Sequence, residues 1–259
     1  MLHEIISSIR SEVAKFKIEL IFLLAVNNEN GDNSPKSQIE RFCGENKDCK
    51  MYVVPDSGHG ITDAGAGRYI YGFYEASLLG DIVIDIDSAG AHDPKVIGGH
   101  ISALLQGKQA VFSTRFGMKG AKDTYPLMRR LASIGTTVVS NLILWAGRYF
   151  PDMASGYQGF QADLLQKVFK IVQPSHWITF KTTTAFIETE LRSYVVWLLQ
   201  QEGNNINECI EVLPIEYGVN KKGVNFPAKV GLKALKGFYL LLRRKKAYKA
   251  LCTVQPGNK

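Results

Sequence analysis

The chain has 259 residues, 46% of them apolar and 21% charged, which suits one large α/β domain or two small ones with a sizeable core and excludes a disordered or low-complexity protein. The formal charge of +7 is uneven: nine Lys/Arg and no acid lie between Lys229 and Lys259, so the other 22 basic residues face 24 acidic ones. The longest apolar run, Ile18 to Val26, is about half of the roughly 20 residues a spanning helix needs. The start of the chain lacks the pattern of a secretory signal. Cys43, Cys49, Cys209 and Cys252 have no metal-type spacing and read as thiols of a reducing cytosol.

In chain order, residues 3–16 predict an amphipathic helix, with Ile5, Ile6, Ile9, Val13 and Phe16 at helical spacing. Ile18 to Val26 predicts a buried strand that opens into the turn-rich run from Asn27 to Ser34. A short helix over 35–43, a strand over 51–54, a helix over 64–79 and a strand over 82–86 follow. Further on come a strand over 110–114, a long helix from Tyr125 to about Phe150, and helices near 161–172 and 183–201. A last strand falls around 209–216. Strands alternating with helices predict a mainly parallel sheet flanked by helices, without internal repeats. The expected organisation is one domain over 1–228 and a basic amphipathic appendage over 229–259.

The stretch from Gly80 to Pro94 is the richest in chemistry. An apolar strand ends in Asp85 and Asp87, and a loop then reaches His92-Asp93-Pro94. Carboxylates at the C-terminal end of a strand in an open α/β sheet stand where such folds bind ligands. Two residues apart on a strand, Asp85 and Asp87 share one face. Oxygen-seeking Mg²⁺ or Mn²⁺ takes one or two such carboxylates together with substrate phosphates.

This stretch resembles glycosyltransferase family 2, whose members carry Asp-x-Asp and then Gly-Gln-His-x-Pro here. Aligned on His92 and Pro94, Asp87 matches the first aspartate, while Ala89 and Ala91 stand at the second aspartate and the glutamine. Ile18 to Ser34 is similar to the family's second strand and acidic turn, with Asn27 and Asn28 where acids contact the base. Ser57-Gly58-His59-Gly60 resembles a helix entry whose backbone approaches phosphate or ribose, so Gly58 and His59 join the nucleotide side. Phe112 to Phe116 resembles Gly-Ser-Arg-Phe, and Arg129, Arg130 and Ser133 resemble Arg-x-x-x-Ser. Arg115, Arg129 and Arg130 are then cations for a diphosphate and a phosphate acceptor, a task that suits the arginine fork. Asp152 to Phe160 resembles Asp-x-x-Ser-Gly-Phe, which places Asp152 on the acceptor side as a base or orienting carboxylate. Glu211 to Gly223 resembles the late Glu-Val-Pro-Ile strand and its loop, with Asn220 where an arginine stands.

The resemblance implies a GT-A-type α/β sandwich, closest to the polyprenyl-phosphate sugar synthases. It implies inverting transfer of a hexose from a UDP- or GDP-linked sugar to a lipid phosphate or related surface-glycan acceptor. Mg²⁺ or Mn²⁺ would sit on Asp87 and Asp85. The expected place is cytoplasmic, peripheral at the inner face of a membrane. The family's opening central strand, ending in Pro-x-Tyr-Asn-Glu, has no counterpart before the first helix, and an absent central strand leaves backbone groups to be paired.

From Lys229 to Lys249 an apolar stripe of Leu232, Leu235, Phe238, Tyr239 and Leu242 is flanked by Lys and Arg, which suits an anionic membrane surface. No nucleic-acid-binding module is legible, and a homo-oligomer is compatible with the sequence. A second reading keeps the fold without the reaction: Ala89, Ala91, Asn220 and the missing strand fall at nucleotide, metal or phosphate positions, as in a catalytically inactive homologue with a binding or structural role.

Overall fold

The computed structural model describes residues 2–28, 31–32, 34–54, 64–87, 90–172, 186–218 and 237–246. The expected positions Gly58, His59, Ala89 and Asn220 lie outside them. The first half alternates as expected: α1 (Leu2–Val13), β1 (Phe22–Asn27), α2 (Pro35–Glu45), β2 (Cys49–Val54), α3 (Ala64–Ser77), β3 (Ile82–Asp85), α4 (Ile97–Leu105) and β4 (Ala110–Thr114). Then come a short β5 (Lys122–Asp123), α5 (Leu127–Leu144), β6 (Gln158–Gln161), α6 (Ala162–Ile171), α7 (Ile187–Gln201), a one-turn α8 (Ile206–Cys209), β7 (Ile210–Pro214) and β8 (Glu216–Tyr217). Residues 237–246 are helical.

Local chemistry sets these boundaries. Ser34 caps α2 by accepting from the Ser37 N–H, and Pro35 sits at the first helical position, where its missing donor costs nothing. Asp93 accepts from the Lys95 N–H and Pro94 follows it, which starts the short 3₁₀ turn leading into α4. The long helix ends earlier than its pattern predicts. Trp145 adopts a left-handed conformation (φ 48°) and stops α5 well before Phe150.

The larger sheet has the order β3-β6-β4-β7. β6 runs antiparallel to both β3 and β4, while β4 and β7 are parallel. Only β6 therefore runs against the common strand direction. Its segment reads as a motif rather than a strand in the sequence, because Gly159 breaks the apolar pattern; a Cβ there would meet Leu104 at 3.1 Å and Ile84 at 3.2 Å. The main core fills the space between this sheet and α3, α6 and α7, around Phe112, Phe160, Leu165, Leu191 and Trp197.

β1 and β2 form a separate parallel pair. Phe22 of β1 and Ile84 of β3 nevertheless pack on the same cluster, around Ile5 and Ile9 of α1 and Ile97 and Ile101 of α4. On the other face α3 packs against both strands, and Gly72 lets it close on Ala25, where a Cβ would lie 3.2 Å away. Two strands thus share both covering layers without a hydrogen bond between them. Among the described residues, one edge of β1 and one edge of β3 are without a strand. This break lies where the resemblance expects a central strand between β1 and β3.

Candidate active site

Asp85 ends β3, and Asp87 lies two residues beyond, in a turn closed by the Gly90 N–H on the Asp87 carbonyl (3.2 Å). His92 braces that turn from inside: its Nδ1 accepts the Asp87 N–H at 3.0 Å, so a neutral ring carries its proton on Nε2. His92 is itself clamped. Its ring stacks on Tyr157 (5.0 Å between centroids), Tyr157 stacks on His100 (4.4 Å), and Tyr217 flanks His92 at 4.9 Å. The Gly218 N–H donates to the Ala91 carbonyl at 2.9 Å and ties the same turn to β8.

Asp85 sits on a hydrogen-bonded frame. Tyr69 of α3 hydrogen-bonds to it, and the Tyr69 hydroxyl also receives the Gln158 Nε2 donor at 2.6 Å. The Gln158 carbonyl oxygen accepts from Arg192 Nε at 2.9 Å. Arg192 is fully buried on α7 and also donates to the carbonyls of Asp152 (2.6 Å) and Tyr157 (3.1 Å), while its guanidinium lies over Phe112. One arginine thereby fixes β6, the 152–157 loop and, through Gln158 and Tyr69, the carboxylate at the end of β3.

A second acid faces this frame. Glu188, four residues before Arg192, packs on Gly156 so closely that a Cβ there would lie 2.7 Å from its Oε1. Burial pushes Glu188 up to about 8, with the charge of Asp85 adding to it. Burial likewise raises Asp85 to about 7; Tyr69 opposes that rise, and the neighbouring charge of Asp87 adds to it. Both side chains are largely enclosed by protein and keep partial contact with solvent. Beside them the hydroxyls of Ser155 and Tyr157 are buried without a hydrogen-bond partner.

Arg115 and Asp152 meet each other. Asp152 accepts from Arg115 Nε at 2.7 Å, from Nη2 at 3.0 Å and from the Arg115 N–H at 3.1 Å. Asp123 adds a second carboxylate at 3.6 Å, and the guanidinium lies 5.1 Å from the centre of each of the Phe116 and Tyr217 rings. Burial opposes the charge on Asp152, and the Arg115 guanidinium overcomes this, holding the carboxyl below its usual range. The expected phosphate-facing cation and the expected base or orienting carboxylate are therefore paired with each other in a sealed ion pair. Its link to the acidic turn runs through Tyr217, whose ring touches both Arg115 and His92.

Arg129 and Arg130 lie in the first turn of α5. The Arg129 guanidinium is stacked 3.6 Å from the centre of Tyr125, whose ring packs on Tyr217, while Arg130 is exposed. Asn27 ends β1, and Asn28 accepts from Lys36 Nζ at 2.9 Å. Among the described residues no three His, Cys, Asp or Glu side chains gather as a metal site. Asp85 and Asp87 are two carboxylates, a set that fits a divalent ion completed by phosphate oxygens.

Tyr69, Gln158, Glu188 and Arg192 escaped the sequence reading. The trace they leave is charge in an apolar context: Glu188 and Arg192 stand four apart on a helix whose other residues from Leu191 to Leu199 are almost all buried.

No model of a known protein family matches the chain. A dolichol-phosphate mannosyltransferase from Pyrococcus furiosus is 30% identical over 99 residues, 38% of this chain and 28% of that protein. The chain thus spans well under half the length of that curated relative. Two solved structures of glucosyl-3-phosphoglycerate synthase from Mycobacterium tuberculosis resemble the whole fold. The complex with uridine diphosphate superposes with a TM-score of 0.56 at 14% identity, over 92% of this chain and 74% of that one. The complex with Mn²⁺, uridine diphosphate and glucosyl-3-phosphoglycerate gives 0.54 at 15% identity, over 95% and 84%. The fold is that of the GT-A-type glycosyltransferases. The mannosyltransferase relative supports the resemblance to family 2 read from the acidic turn and its flanking motifs.

Proposed function

We propose that this chain is a glycosyltransferase that moves a hexose from a nucleotide sugar to a polyprenyl-phosphate or related surface-glycan acceptor at the cytoplasmic face of a membrane. The observation that carries the reading is the braced acidic pair: Asp85 held by Tyr69, and Asp87 held through its backbone by His92, at the end of β3. Asp85 and Asp87 would hold Mg²⁺ or Mn²⁺, which when bound neutralises the diphosphate and makes it a better leaving group.

The remaining work falls to the chain's own groups. The Arg115–Asp152 pair fixes the wall between the end of β4 and the 152–157 loop. Arg129 and Arg130, in the first turn of α5, would attract and orient an anionic acceptor. An acceptor phosphate is already ionised, so its oxygen attacks the anomeric carbon directly as the nucleoside diphosphate departs, and the configuration inverts. Asp152, locked in its ion pair, serves this step as a positioning group. The uridine diphosphate in both structural neighbours, the Mn²⁺ in one of them and the dolichol-phosphate in the name of the curated relative support this assignment.

One observation favours the inactive reading. Ala91, standing where the family has a glutamine, is fully buried and offers the site no oxygen. A turnover assay separates the two: purified chain, UDP- and GDP-hexoses, a short polyprenyl phosphate, with and without Mn²⁺. Metal-dependent formation of a glycosylated lipid phosphate is expected. Folded protein that forms none from any nucleotide sugar supports the binding or structural role.

A further inference from the structure

The outer face of α5 is built the wrong way round for a helix on the surface of a water-soluble domain. Leu127, Leu131, Ile134, Val138, Leu142 and Trp145 recur at spacings of three and four, the period of one helical face, and every one of them is exposed. The side turned to the protein is mixed: Ile143 and Leu144 enter the core, and Thr137, Ser140 and Asn141 make polar contacts. Thr137 accepts the Met153 N–H at 3.0 Å, and Asn141 both donates to the Phe150 carbonyl and accepts its N–H, each at 2.8 Å. The 18 residues make a ridge of about 27 Å at 1.5 Å per residue.

Two further features point outward. Trp145 exposes 78% of its surface while holding a left-handed backbone (φ 48°) that glycine normally takes at a helix end. The helix over 237–246 is anchored beside it: Phe238 and Leu241 enter the core, and Lys245 Nζ donates to the carbonyls of Ile143 and Leu144. That anchoring leaves Tyr239 and Leu242 exposed.

We propose that α5 and the 237–246 helix together form a membrane-docking face that lays Leu131, Val138, Leu142 and Trp145 into the interface of an anionic lipid surface. Charge selects this occupant. Besides the anchoring Lys245, the two helices carry Arg129, Arg130, Arg243, Arg244 and Lys246 and not one carboxylate. A second copy of the chain would bring the same cations against these, whereas anionic headgroups complement them while the apolar ridge sinks below. The sequence suggests membrane contact only for the tail; the structure moves its centre to α5. No helix of the described residues is long and apolar enough to cross a membrane, so the contact lies along the surface. The proposal is independent of the sugar-transfer reaction, since lipid binding is read whether or not sugar moves.

The test is flotation of the full chain with vesicles of phosphatidylcholine containing about 30 mol% phosphatidylglycerol, against phosphatidylcholine alone. The chain should float with the anionic vesicles and lose this at high salt. Leu131→Glu with Val138→Glu should weaken binding roughly tenfold or more at an unchanged melting temperature, because both positions are exposed. Tryptophan emission should shift to the blue on adding the vesicles, and Trp145→Phe should remove that shift. The proposal is overturned if the folded chain stays with the soluble fraction, or if the double variant floats as the parent does. It is equally overturned if sedimentation shows a dimer that the same substitutions dissolve, since the face would then belong to a second copy.

Discussion

Arg115 and Asp152 hold each other by two side-chain hydrogen bonds, 2.7 and 3.0 Å long, and their side chains are only 3% and 0% exposed. The pair joins the end of β4 to the loop that presents Ser155, Gly156 and Tyr157, and that loop forms the wall on which Glu188 and His92 rest. Arg115, read in the sequence as a phosphate-binding cation, and Asp152, read as a base or orienting carboxylate, act in the structure as a single brace. Removing one partner leaves the other as an uncompensated buried charge. Asp152→Asn should therefore destabilise the fold by about 3–5 kcal/mol. Urea unfolding followed by circular dichroism measures it, and a loss below about 1 kcal/mol would mean that the pair does not brace the loop.

His100 supplies a pH dependence of stability. It is completely buried, its Nδ1 donates to the Val96 carbonyl at 3.2 Å, and its Nε2 accepts from Ser113 Oγ at 2.8 Å. Burial lowers it to about 4, from an ordinary value near 6.5. The unfolded chain then binds the proton more readily than the folded one between those two values. Stability is complete above about pH 6.5 and falls as the pH drops toward 4, by on the order of 3 kcal/mol for this group. Melting temperatures across that window should decline more steeply in the parent than in His100→Gln. Equal slopes would remove His100 as the cause.

The frame around Asp85 makes a graded prediction. Asp87→Asn removes the charge proposed to hold the metal and should nearly abolish Mn²⁺-dependent binding of a nucleoside diphosphate. Tyr69→Phe keeps both carboxylates but takes the hydrogen bond from Asp85 and the acceptor from Gln158, and should weaken the same binding roughly tenfold. Calorimetric titration separates the two. A Tyr69→Phe protein that binds as the parent does would show that the frame does not position Asp85.

The divided sheet is visible to hydrogen exchange. On β1 and β3 the amides that face the partner strand are paired, and alternate amides face the open edge. The open-edge amides should exchange far faster than those of β4, which is paired on both sides. Uniform protection along β1 and β3 would mean that a further segment completes the sheet.

Most of the fold was legible because its helices and strands bury apolar residues at regular spacing. α1, α3 and β4 fall within a few residues of the predicted spans for that reason. β6 was not, since Gly159 and two glutamines give it no alternation, and it is a strand only because β3 and β4 flank it. In the site, the acidic turn and its histidine were legible from their order in the chain. Tyr69, Gln158, Glu188 and Arg192 were not, because three separate elements, α3, β6 and α7, bring them together and each looks ordinary on its own. The α5 face was equally hidden: its apolar stripe reads as a core face until the structure shows that the core lies on the other side.

The central claim is that Asp85 and Asp87 form the donor end of a sugar-transfer site. Titrating folded chain with UDP and with GDP, in the presence and absence of Mn²⁺, tests it most directly. One nucleotide should bind per chain, more tightly with the metal, and Asp87→Asn should lose that gain. A stable, monodisperse sample that takes up neither nucleotide with Mn²⁺ present would contradict it.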